Sequence, residues 1–147
     1  MKHTIALLLF TALSFSSCCQ KNAEEQAIIR VLEKESATWR SGDVKAHAAL
    51  WKIQPYSRIL VSTPDGKTYD VPPASILHPN PKDMDLGGTS VNTNYKMKIY
   101  GNNAWVSHNE ESTSKDGKKS YSYEIRLLEK IKGQWKLVGQ SIHLYNK

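Results

Sequence analysis

Six side chains in the second half of the chain have the chemistry that a small-molecule site needs. Glu124 and His143 can hold or move a proton, and Arg126 can bind an anionic group or an enolate. Asn109 and Ser141 can hydrogen-bond a polar group, and Trp105 offers an aromatic wall. Burial and a neighbouring charge shift pKa values towards working pH, which is what a carboxylate needs to do acid–base work there. Glu124, two residues from Arg126 along one strand face, is therefore the pairing to place. On a solvated face the same two residues would be an ordinary ion pair, worth ~0.2–1 kcal/mol.

Other chemistries find little to work with. His47, His78, His108 and His143 are far apart in sequence and form no His-Glu-x-x-His pattern, so no metal site is expected. Gly87-Gly88 opens no phosphate-binding helix, and Gly139-Gln140-Ser141 lacks the second glycine of a nucleophile elbow. Lys96, Lys98, Lys115, Lys118 and Lys119 make the strand surfaces basic, but without interleaved arginines or a recognition helix they do not point to nucleic acid. No cofactor is implied.

The first residues carry an address. Lys2 precedes an apolar run from Ile5 to Leu13, then small residues lead to Cys18-Cys19. The run is shorter than the ~20 residues of a membrane-spanning helix and reads as a secretory signal. Phe15-Ser16-Ser17-Cys18 resembles the lipobox of bacterial lipoproteins, with Phe15 where that family usually has leucine. The resemblance implies cleavage before Cys18, acylation of that cysteine and an exported, membrane-anchored protein of the cell envelope. Residues 1–17 are then the signal, 18–22 a tether and 23–147 the folded domain. The adjacent cysteines leave that domain without a disulfide.

With 147 residues, a net charge of +6 and 39% hydrophobic content, the chain fits one domain with its own core. Ile28, Ile29, Leu32, Ser36 and Trp39 fall near a helical period, with Glu24, Glu25, Lys34 and Glu35 on other faces, predicting a helix over 23–40. Ser41-Gly42 ends it, and Asp43 caps a short second helix that buries Ala46, Ala49, Leu50 and Trp51. Strands follow at 58–62 and 67–71 around Pro64-Asp65-Gly66. An irregular, proline-rich segment covers 72–88, with one helical turn near Ala74. An antiparallel meander at 90–100, 104–114, 118–131 and 135–145 completes the chain.

Helix, short helix, hairpin, irregular segment and long strands is the order of a cystatin-like α+β roll. Glu24-Glu25-Gln26-Ala27-Ile28, leading to Trp39-Arg40-Ser41-Gly42-Asp43-Val44-Lys45-Ala46, resembles the opening of the nuclear transport factor 2-like (NTF2-like) superfamily, which includes SnoaL-like proteins. The stretch from Leu127 to Val138, with its Gly-x-Trp turn, resembles the closing hairpin. The likeness implies helices packed on a curved antiparallel sheet. It implies no single function, because the superfamily includes isomerases, dehydratases, cyclases and non-catalytic assembly domains. Where the isomerase has an acidic pocket residue, this chain has Arg126.

Taking Asp116-Gly117 and Lys132-Gly133 as two-residue turns fixes the cross-strand partners. One sheet face then runs from Trp105, Leu128, Leu137 and Trp135, through Ser107 and Arg126, to Asn109, Glu124, Ser141, Glu111, Ser122 and His143. The opposite face is largely apolar. Either the apolar face packs on the helix, or the graded face lines the cavity and the apolar face pairs in a homodimer; the family analogy favours the second. The resulting expectation is a lipid-anchored roll that binds a small, mostly apolar ligand, with an anionic group of that ligand near Arg126. The alternatives are a SnoaL-like proton-transfer enzyme using Glu124 and His143, and a dimerisation or assembly module.

Overall fold

Ile28 and Leu32 lie one turn apart on α1 (Thr4–Ser41), and both are sealed against the sheet. The computed structural model describes residues 4–84 and 86–147, with side chains from residue 23 onward. The signal and lipidation readings at 1–17 and Cys18 therefore lie outside the residues whose side chains are described. The α1 backbone is helical from well before Ala23, through the 18–22 stretch. Among the described residues, no helix is long and apolar enough to cross a membrane.

α1 ends where Gly42 takes φ 73°. Asp43 then caps α2 (Val44–Ala49) by accepting a 2.9 Å hydrogen bond from the Ala46 amide. The buried side of this corner is His47, Leu50 and Trp51, whereas Ala49 is exposed and Ala46 half-buried. The stripe thus follows the i, i+3, i+4 spacing from His47, one residue on from the expected one.

Six strands form one sheet: β1 (Ile59–Ser62), β2 (Thr68–Val71), β3 (Thr89–Tyr100), β4 (Asn103–Thr113), β5 (Lys119–Ile131) and β6 (Gln134–Tyr145). Their order is β2-β1-β6-β5-β4-β3. Every neighbouring pair is antiparallel except β1 with β6, so the sheet is mixed. Two 3-10 turns, Pro73–Leu77 and Pro81–Asp83, punctuate the proline-rich link between β2 and β3. Ile28 and Leu32 pack with Leu50, Trp51, Ile59, Ile76, Ala104, Val106, Leu128, Trp135 and Leu137 in one core between helix and sheet. Glu24 ties the helix to the end of the last hairpin, accepting from Lys130 Nζ at 2.5 Å and Trp135 Nε1 at 2.7 Å.

Two details set which side chains face that core. The β4–β5 turn has three residues, not two: Ser114 N donates to Lys118 O at 2.9 Å, and Gly117 N donates to Ser114 O at 2.9 Å. Gly117 sits at φ 84°, the left-handed position that such a turn gives to glycine. The β5–β6 turn is the expected two-residue one, and Lys130 faces Trp135 and Leu128 faces Leu137 as read from the sequence. A bulge then intervenes, so Leu127 faces Gly139 and Arg126 faces Gln140. The bulge coincides with a change of neighbour along β6. Leu137 exchanges backbone hydrogen bonds with Leu50 and Lys52, while Gln140 N donates to Arg58 O beside β1. Gly139 fits that seam because a Cβ there would lie 3.3 Å from Arg58 O.

Candidate functional site

Strand alternation turns these two shifts into a sorting of side chains. Ala104, Val106, His108 and Glu110 of β4 face α1 together with Ser122, Glu124, Arg126 and Leu128 of β5, and all eight are buried. Of the six residues expected on one face, Glu124 and Arg126 point inward. Trp105, Asn109, Ser141 and His143 lie on the opposite face of the sheet, with Trp105 and His143 exposed. The expected single face is corrected for two physical reasons: the three-residue turn moves β4 by one residue, and the β6 bulge moves Ser141 and His143 by one. Outside, Ser141 Oγ and His143 Nε2 are 2.9 Å apart.

The inward set meets α1 at the floor of a cavity of about 430 Å³. Its apolar wall comes from Trp39 of α1, Ile59 and Val61 of β1, Val71 of β2, Ile76 of the first 3-10 turn and Ile142 of β6. Ser75, Pro79, Asn80 and Asp83 contribute from the proline-rich link. The floor is Glu35, Ser36, Arg40, Glu110, Glu124, Arg126 and Gln140, all buried.

Among the described residues, two direct ion pairs and a looser third organise the floor. Arg40 Nη2 lies 2.6 Å from Glu110 Oε1, and Glu110 also accepts from Ser36 Oγ at 2.8 Å and Ser112 Oγ at 2.7 Å. Burial pushes Glu110 up, but Arg40, Ser112 and Ser36 outweigh it and hold its carboxyl below the usual value. Arg126 donates to Glu124 Oε2 and to Gln140 Oε1, and Ser122 Oγ supports Glu124 at 2.9 Å. Burial works against the Arg126 charge, yet Glu124, Glu35 and Glu110 outweigh it and strengthen its hold on the proton. An anion arriving at Arg126 would thus enter beside three carboxylates.

Glu35 is the third carboxylate. Its oxygens lie 3.5 Å from Arg126 Nη1 and 3.8 Å from His47 Nε2, and no described residue hydrogen-bonds them more closely. Burial raises its pKa; Arg126 and His47 oppose that shift, while Glu124 and Glu110 add to it. His47 is fully buried between Trp39 and Trp51, with ring centroids at 5.2 and 6.5 Å, and its Nε2 has no hydrogen-bond partner. His108 stands 3.7 Å from Glu124, and burial and then Arg126 lower its pKa, favouring the neutral ring.

Arg40, His47, His108 and Glu110 are not among the expected site residues, and Glu35, expected on a face of α1 away from the core, is corrected to the buried, core-facing stripe. A signal for two of them was present. Ile28, Leu32, Glu35 and Trp39 are spaced 4, 3 and 4, which puts Glu35 on the stripe facing the core. His47, Leu50 and Trp51 make the matching stripe on α2.

No protein-family model matches this chain, nor does any curated protein. Solved structures do. An NTF2-like protein of unknown function from Methylobacillus flagellatus is 21% identical, with a TM-score of 0.61 over 84% of this chain and 94% of that one. A protein of unknown function with a cystatin-like fold from Nostoc punctiforme is 12% identical, with a TM-score of 0.63 over 82% of this chain and 90% of that one. A candidate dehydratase of the NTF2-like family from Streptomyces avermitilis is 11% identical, with a TM-score of 0.64 over 86% of this chain and 99% of that one. Helix order, sheet order and these likenesses agree that the chain has the cystatin-like, NTF2-like α+β fold.

Proposed function

We propose that this chain is an exported, lipid-anchored NTF2-like domain that binds a small, mostly apolar ligand in the cavity between α1 and the sheet. The observation that carries the reading is the cavity itself, about 430 Å³ with an apolar wall and a floor of buried charged groups. That combination of apolar surface for affinity and a few fixed polar groups for orientation is typical of small-molecule sites. Export and anchoring rest on the residue pattern that ends at Cys18. Native mass spectrometry of the protein extracted from cell envelopes tests both parts. The expected spectrum shows a chain that starts at Cys18 with acyl groups attached and that retains a small molecule. Val61→Trp, which fills the cavity, should lose the small molecule and keep the lipid. Retention of the small molecule by Val61→Trp would overturn the cavity reading, and an unprocessed chain the anchor.

A second reading, proton transfer on the bound ligand, is favoured by the Glu35 carboxyl, whose pKa burial raises inside the cavity towards that of a working acid or base. In this reading Glu35 carries the step, with Glu124 ion-paired beside it and His143 remote on the outer face. It requires deuterium from solvent to enter a bound ketone with wild-type protein and not with Glu35→Gln.

A further inference from the structure

The cavity holds an uneven set of charges. Among the described residues, four carboxylates line it, Glu35, Glu110, Glu124 and Asp83, against two guanidiniums, Arg40 and Arg126. Arg40 is matched by Glu110 and Arg126 by Glu124, each in direct contact. Glu35 only shares Arg126, at 3.5 Å, and faces a His47 Nε2 that makes no hydrogen bond. It is 6% exposed, lines the cavity, and is approached by no closer donor among the described residues. A buried carboxylate so placed either takes a proton or takes a cation from the cavity. Among the described residues no three carboxylate, imidazole or thiol groups come together as a metal ion needs, and the apolar wall of Trp39, Ile59, Val61 and Ile142 suits a cation that carries hydrocarbon.

We propose that the cavity's ligand is a small alkyl amine, whose ammonium group pairs with the Glu35 carboxylate while its hydrocarbon lies against Trp39, Ile59, Val61 and Ile142. This rests on the cavity being a ligand site and names the class of ligand it takes. Trp39 adds to the match, because an indole wall attracts an ammonium group that passes its face. An alkyl carboxylate of the same length fits the wall equally well but brings one more negative charge to a floor that already has an excess. The protein surface does not favour amines, since the chain as a whole carries +6, so any amine preference belongs to the cavity.

The pairing also links binding to pH. Burial favours the protonated form of Glu35, and the groups facing it are His47 from α2, Glu110 from β4, and Glu124 and Arg126 from β5. An ammonium ion binds the ionised carboxylate, so the proton must leave and amine affinity falls as the solution becomes more acid.

The test compares hexylamine, hexanol and hexanoate by calorimetric titration of the full chain. In wild type, hexylamine should bind about tenfold more tightly than hexanol, as expected for a charge-assisted contact to a buried carboxylate, with hexanoate weakest. The amine preference should shrink as the solution is made more acid, because burial favours protonated Glu35 and the proton then competes with the ammonium group. In Glu35→Gln, checked for folding by circular dichroism, the ratio of hexylamine to hexanol affinity should collapse towards one. Hexanol binding as tightly as hexylamine in wild type, or an undiminished ratio in Glu35→Gln, would overturn the amine assignment and leave the cavity reading standing. Failure of all three probes to bind would overturn both.

Discussion

Glu35 occupies a place where a leucine would complete the stripe begun by Ile28 and Leu32, and that choice has a measurable cost. Its folded pKa lies above the ordinary value of 4.5, chiefly through burial. Above pH 4.5 the unfolded chain gives up this proton while the folded chain keeps it, so the folded state binds more protons and stability falls as pH rises through the folded pKa. Glu110, held low by Arg40 and two serines, has the opposite sign: its contribution is present above 4.5 and is lost as pH falls. Glu35→Gln removes the first dependence and leaves the second. Urea melts across the acid-to-neutral range should therefore show the two proteins alike near the acid end, with Glu35→Gln increasingly the more stable as pH rises. Parallel curves for the two proteins would mean that burial of the ionised carboxylate carries no cost, and the account of the floor would fail.

At the level of elements, the sequence is legible wherever one local signal decides. The Asp43 cap, the proline-rich link, the β1–β2 hairpin and all four long strands lie within one or two residues of their expected bounds. The Lys132-Gly133 turn also sets the expected pairing of Lys130 with Trp135. The face assignments depended on two single-residue events. Ser114-Lys115-Asp116-Gly117-Lys118 supports a two- or a three-residue turn, since Asp-Gly serves the first and a left-handed glycine after a type I turn serves the second. The bulge beside Gly139 has its cause elsewhere in the chain, where Leu50–Lys52 and then Arg58 compete for the free edge of β6. Strand periodicity carries no trace of that competition. Glu124 and Arg126 share a face by alternation along one strand, which depends on neither event, whereas Trp105, Asn109, Ser141 and His143 each sit beyond one of them. Asp43→Ala tests the local part of this reading. Loss of one cap hydrogen bond should lower stability by about 1 kcal/mol in denaturant melts, and no loss would mean that tertiary packing alone holds α2.

On the scale of the whole molecule, the sheet is covered by α1 on one face, and no described element packs over the other. That second face presents Tyr100 at 82% exposure, Tyr123 at 54%, and Trp105 and Leu127 at 44% each, with Tyr123 stacked on Tyr145 at 4.5 Å between ring centroids. Large rings gathered on a flat strand surface are the composition of a protein contact, and a two-fold pairing of identical sheets would bury them without needing a second kind of subunit. We therefore expect a homodimer through this face, and sedimentation at micromolar concentration should show one. Tyr123→Lys puts a charge at the centre of the patch on both subunits and should shift the protein to monomer, in line with the ~2 kcal/mol or more that a central aromatic contributes. Wild type sedimenting as a monomer would remove the dimer. The same variant separates assembly from binding, because Tyr123 points away from the cavity that Glu35, Arg126 and Trp39 line. If Tyr123→Lys is monomeric and still titrates with hexylamine like wild type, ligand binding is a property of one chain. Loss of both together would show that pairing of the sheets holds β5, and with it Glu124 and Arg126, in the geometry the cavity requires.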